Sequence, residues 1–123
     1  MDELKLGVVE MHFAELVWAH APISSGELVK LCAQELEWKK STTYTVLKKL
    51  CDKGLFQNNG GCVTVLMEKS QFLSAQSRQF VDDSFSGSLP AFLAAFAQGG
   101  RLDPKEIAEI RQMIDAYEKE DEP

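Results

Sequence analysis

The chain has 123 residues, 45% of them hydrophobic and 26% charged, and a net charge of −6 at neutral pH. That length allows one or two compact units with a real core, yet it is short enough that burying surface against a second copy would help. No apolar run approaches the roughly 18 residues of a membrane span. The opening Met1–Asp2–Glu3 lacks the cationic and apolar regions of a secretion signal. Three cysteines without paired spacing point to a reducing compartment, so a cytoplasmic protein without membrane insertion is expected.

A first helix is predicted from Leu6 to His20, with Leu6, Val9, Phe13, Leu16 and Val17 close to one stripe and Pro22 as its stop. Ile23 is the one apolar residue before the next start signal, which suits a single-residue strand. Ser24 and Glu27 have capping-box spacing, and Leu28, Leu31, Cys32 and Leu36 continue along one face of a second helix. Ser41 is an N-cap type that can begin a third helix. Thr43, Val46, Leu47 and Leu50 form its inner face, and Gly54 ends it by accepting positive φ. Leu55–Phe56–Gln57 and Cys62 to Leu66 read as strands around the turn Asn58–Asn59–Gly60–Gly61. Helix, helix, hairpin is the order of a winged helix-turn-helix.

The outer face of the third helix is polar or cationic. Lys39, Lys40, Ser41, Thr42, Tyr44, Thr45, Lys48 and Lys49 are the candidate DNA-binding residues. Threonine and tyrosine can touch base edges and thymine methyls, and lysine neutralises phosphate. From Lys39 to Lys53 five lysines face one acid, a local charge of +4, whereas Arg101 to Pro123 carries −4. DNA feels the field within about 8 to 10 Å at ordinary salt, so the acidic total is compatible with a basic reading face.

The second half is predicted to be helical. Lys69 to Phe85 is one helix, with Phe72, Gln76, Phe80 and Val81 as face markers. Ser86–Gly87–Ser88 breaks the chain before the apolar Leu89 to Gln98, and Gly99–Gly100 breaks it again. Asp103 caps a last helix with Pro104 at its first position and Glu106 at its third, and Ile107, Ile110, Met113, Ile114 and Tyr117 make its stripe. The expected architecture is mostly α with a small β hairpin: a winged-helix DNA-binding domain over 1–67 and a helical dimerisation region over 68–123. Phe80, Phe92, Leu93, Phe96, Ile107, Ile110, Met113 and Ile114 are the candidate dimer contacts, since so small a domain should not leave that much apolar surface wet. Packing of this surface on the first domain is the other reading.

The chain resembles the BlaI/MecI penicillinase repressors over nearly its whole length. Glu10 through Trp18 looks like the opening helix of that family, and Gly26–Glu27–Leu28 like the start of its second. Trp38, Thr42 through Leu50 and Lys53–Gly54–Leu55 resemble its recognition helix and exit, and Leu102–Asp103–Pro104 with Glu106, Ile107 and Ile110 its last helix. Members often carry a basic residue where Tyr44 stands, and cations on the wing where this chain has Asn58–Asn59–Gly60–Gly61. The resemblance implies a homodimeric repressor on a twofold DNA operator with TACA/TGTA-type half-sites. It also implies release by a membrane sensor with a metalloprotease domain. The asparagine–phenylalanine bond cut in that family corresponds to Ala95–Phe96 here, with alanine in place of the asparagine. Plain interface packing is the other reading of these two residues.

Other chemistry is sparse. His12 and Glu15 share a helix face without an HExxH pattern, and His20 and Cys32 lack metal-ligand spacing, so no metal and no cofactor is expected. Related copper-responsive repressors carry a C-terminal cysteine motif, but no cysteine follows Cys62. There is no phosphate loop and no nucleophile–base pair, so an enzyme is not expected. A winged-helix protein-interaction module without DNA binding, and a ligand- or redox-sensing regulator using Cys51 beside Lys48, are the alternatives.

Overall fold

A computed structural model describes residues 4–121. Met1, Asp2 and Glu3, on which the expectation about a secretion signal rests, and the last two residues of the Arg101 to Pro123 charge count lie outside the described residues. The chain divides into two compact units, Met1–Gln79 and Phe80–Pro123.

The first unit has the winged-helix order. α1 spans Val8–His20, β1 Ile23–Ser24, α2 Ser25–Leu36, α3 Lys40–Asp52, β2 Phe56–Asn59 and β3 Cys62–Val65, and α4, Lys69–Phe85, begins here. The three strands form one antiparallel sheet in the order β1-β3-β2. Ile23 opposite Val63 is the short strand expected beside the wing. Phe13, Val17, Leu28, Leu47, Leu50 and Phe56 are fully or almost fully buried in the shared core. Trp38 stacks on Phe13 at a centroid distance of 5.6 Å and closes the core beside the α2–α3 turn.

Local signals account for most boundaries. The Ser24 hydroxyl accepts the Glu27 N–H at 3.1 Å and starts α2. Glu37 ends α2 in the left-handed region at φ 58°, and its N–H reaches the Cys32 carbonyl. Gly54, at φ 89°, follows α3, while Leu55 N–H donates back to the Leu50 carbonyl.

Four expectations need correction. α3 starts at Lys40 with Lys39 as N-cap, so Ser41 is a helical residue and caps nothing. Trp38 is held between its bond to the Cys32 carbonyl and its stack on Phe13, which sends the chain into the helix before Ser41 is reached. α1 starts at Val8, leaving Leu6 ahead of it. Val9 is 55% exposed, whereas Glu10 and Met11 of the same turn are half-buried, and Ala14 takes a buried place instead. Asn58 and Asn59 belong to β2. Gly60 and Gly61, at φ 58° and 88°, supply both positive dihedrals of a two-residue hairpin turn, so no asparagine is needed there.

The second unit holds the rest of α4, α5 (Leu89–Gln98) and α6 (Pro104–Asp121). Gly87 at φ 79° turns the chain out of α4, and the Ser88 hydroxyl caps α5 by accepting the Ala91 N–H. Asp103 accepts the Lys105 N–H at 3.0 Å, with Pro104 as the first residue of α6, as its sequence predicts. Phe80, Phe85 and Phe92 meet pairwise at centroid distances of 5.6 to 6.0 Å, and Phe96 extends the cluster.

The backbone at two glycines sets opposite expectations. Gly54→Ala should destabilise the protein by about 1–2 kcal/mol, because a Cβ is strained at φ 89°. Gly26→Ala, in the first turn of α2 with open space around it, should be neutral or stabilising by a few tenths of a kcal/mol. Thermal unfolding of the two variants beside the wild type checks both signs.

Candidate nucleic-acid interface

α3 is amphipathic by construction. Thr43, Leu47 and Leu50 bury one face against α1, α2 and the hairpin, which turns the opposite face outward. Ser41, Thr42 and Thr45 stand on that outward face with Lys39 and Lys40 at its head, all exposed. Neither Lys39 nor Lys40 has an ion pair with a described residue. The Thr45 hydroxyl donates to the Ser41 carbonyl at 2.9 Å. Its hydrogen is therefore spent inside the helix, leaving a methyl and an acceptor oxygen outward.

The other candidates are engaged elsewhere. Tyr44 is half-buried, and its hydroxyl donates to Ser25 Oγ at 3.0 Å. Lys48 pairs with Asp52 one turn on, at 3.1 Å and in full solvent. Such a pair contributes roughly 0–1 kcal/mol, and a phosphate can displace it. Lys49 pairs with Glu10 of α1. Lys53 donates to the Lys5 carbonyl at 2.6 Å. At the wing, the Asn58 side chain accepts the Gly61 N–H at 3.1 Å, and the turn itself carries no cation.

Two residues here are not evident from the sequence as partners of α3. Glu10 bridges the Gly7 N–H and Lys49, and Ser25 joins Tyr44. Both contacts span distant parts of the chain, so periodicity carried no trace of them. The Glu10 carboxyl is held below its ordinary value of 4.5, first by the Lys49 hydrogen bond and then by the Gly7 N–H, against the opposing effect of burial.

Neither Cys32 nor Cys51 is activated. Burial pushes the Cys32 thiol up, and burial with the neighbouring Asp52 does the same to Cys51. A shallow cleft of about 300 Å³ on α1 and α2 is lined by His12, Glu15, Leu16, Glu35 and Leu36. Among the described residues no cluster of His, Cys, Asp and Glu is arranged to hold a metal ion, and no helix is long and apolar enough to cross a membrane.

In the second unit the apolar candidates are largely in solvent. Met113 is 71% exposed, Phe96 60%, Ile114 52% and Phe80 51%. Ile107 is also exposed, whereas Phe92, Leu93 and Ile110 are half-buried. Ala95 and Phe96 lie inside α5.

These elements define a winged-helix protein with a helical C-terminal region. The family model for the penicillinase repressor matches residues 6–116, and the chain belongs to that family. It is 25% identical over 112 residues to the penicillinase repressor of Bacillus licheniformis, covering 88% of each chain. It is 20% identical over 114 residues to the methicillin resistance regulatory protein MecI of Staphylococcus aureus strain Mu50, covering 89% of this chain and 93% of the relative.

The Glu10–Lys49 pair has a pH signature. A carboxyl whose folded pKa is depressed stabilises the fold above its unfolded value, and that contribution is lost as pH falls through the folded value. Glu10→Gln should cost up to about 1 kcal/mol at pH 7. The difference from wild type should shrink steadily below the ordinary carboxylate range, as read by denaturant unfolding at a series of pH values.

Proposed function

We propose that this protein is a homodimeric repressor that occupies a twofold operator and excludes polymerase. The observation that carries the reading is the exposed row Ser41, Thr42 and Thr45 headed by Lys39 and Lys40, which have no ion pair among the described residues, on a helix whose other face is locked in the core. Short side chains can enter a major groove, and the two lysines can meet phosphate beside it. The two relatives, named as a penicillinase repressor and a resistance regulatory protein, support the same reading.

Dimerisation is assigned to the helical region. Phe80, Phe96, Ile107, Met113 and Ile114 expose more hydrocarbon than a lone small unit usually leaves in water, and Phe92, Leu93 and Ile110 lie beside them in sequence on the same helices. A pair of reading helices joined this way binds two half-sites at once, so the second contact is effectively intramolecular. Release by a membrane sensor metalloprotease acting at Ala95–Phe96 follows from the resemblance. Because that bond lies within α5, cutting it requires the helix to open locally.

Two measurements test this reading. Operator affinity against salt should lose roughly 0.9 of log-log slope per subunit in Lys39→Ala or Lys40→Ala, and less in Lys48→Ala or Lys49→Ala, whose ammonium groups already have acids. Unchanged slopes in all four would favour the protein-interaction alternative. Met113→Asp should turn a sedimenting dimer into a monomer with unchanged helicity and lower operator affinity at least tenfold. A dimer that survives would move the interface elsewhere.

A further inference from the structure

Tyr44 stands on the reading helix beside Thr45, yet its hydroxyl points away from the groove-facing row and into a bond with Ser25. Ser25 is the first residue of α2, and its own N–H donates to the Gly61 carbonyl at 2.8 Å. Gly61 is half of the wing turn, and its N–H is held in turn by Asn58. Directly before Ser25, Ser24 pairs with Cys62 of the wing and caps α2. A single residue thus touches both devices that a winged helix presents to DNA.

We propose that Ser25 is a positioning residue for sequence reading: by accepting the Tyr44 hydroxyl while its amide holds the wing turn, it sets the register between Thr42 and Thr45 and the wing. The inference rests on the DNA-binding reading above. Nonspecific affinity comes from lysine on phosphate and needs no fixed register. Discrimination between base pairs does, because a threonine methyl or oxygen must meet one base edge. Removing the link should therefore weaken operator binding and leave nonspecific binding unchanged. A neutral, partly buried hydrogen bond of this kind supports a loss on the order of fivefold. The turn leaves room for this hydroxyl: even a Cβ on Gly61 would meet Ser25 Oγ at 3.7 Å, an ordinary van der Waals contact.

The test uses the full-length protein. The wild type first selects its preferred duplex from a random-sequence pool. The ratio of affinities for that duplex and a scrambled one is then measured for Ser25→Ala, Tyr44→Phe, the double variant and Ser25→Thr. Loss of folded protein scales both affinities alike, so the ratio reports register and not stability. The expected result is a similar several-fold drop in each single variant, no further drop in the double variant, and recovery in Ser25→Thr, which keeps the hydroxyl. Unchanged ratios in the single variants, losses that multiply in the double variant, or no recovery in Ser25→Thr would overturn the inference while leaving the repressor reading intact. A wild type that enriches no sequence would overturn that reading, and this inference with it.

Discussion

Trp18 lies between Phe56 of the wing strand and Phe72 of α4, with ring centroids 5.6 and 5.7 Å away, and its indole N–H donates to the Met67 carbonyl at 2.9 Å. A large aromatic with its one polar atom satisfied can sit against a core at no desolvation penalty. Three elements that are far apart in sequence are thereby fixed to α1: the hairpin, the segment that leaves it and the first turns of α4. Phe13, on the same helix, meets Trp38 and so also fixes the turn before α3. The Phe13–Trp38 stack thus sits at the turn from which α3 sets out.

The acidic total and the proposed partner are reconciled by where the charges go. Two of the lysines on the reading helix are already neutralised by Asp52 and Glu10, and the pairs differ in kind. The Lys48 pair is local and fully wet. The Lys49 pair ties α3 to α1 and draws in the Gly7 amide, so it belongs to the fold as much as to the surface. What remains free at the head of α3 is a short cationic stretch, Lys39 and Lys40. On the proposed function, a protein built this way would depend on shape and on two joined half-sites for its affinity, and little on bulk attraction.

Much of the architecture was legible because it rests on local chemistry. Ser24 with Glu27, Pro104 after Asp103, and Gly54 after Leu50 each mark a helix end through the residue's own bonding or dihedral preference. The winged-helix order followed from those marks taken together with the strand and turn signals, and the family from the resemblance carried by Glu10 through Trp18, Gly26–Glu27–Leu28, Trp38 to Leu55 and Leu102 to Ile110. Misreadings arose where a tertiary contact overrode the local signal. Ser41 looked like a cap, but the Trp38–Phe13 stack started the helix earlier. Val9 matched the stripe of α1, but its turn meets the protein through Glu10 and Met11 instead. The outward row of α3 was legible from period alone, since its inner residues are apolar. The Tyr44–Ser25 and Lys49–Glu10 contacts were not, because pairing across folded segments leaves no periodic trace in the chain.

The Glu10–Lys49 pair has one more consequence. When a lysine comes to phosphate from water, it releases a condensed cation from the DNA, and that release is the source of steep salt dependence. When it must first leave a carboxylate, the acid has to take up a cation from solution in its place, and the two exchanges offset. On the proposed function, each such pair flattens the response of the bound fraction to ionic strength. With two of the three lysines within α3 paired in this way, such a repressor would hold a steadier occupancy as the cell's salt content changes. That steadiness would come from two carboxylates, Asp52 on α3 itself and Glu10 on α1.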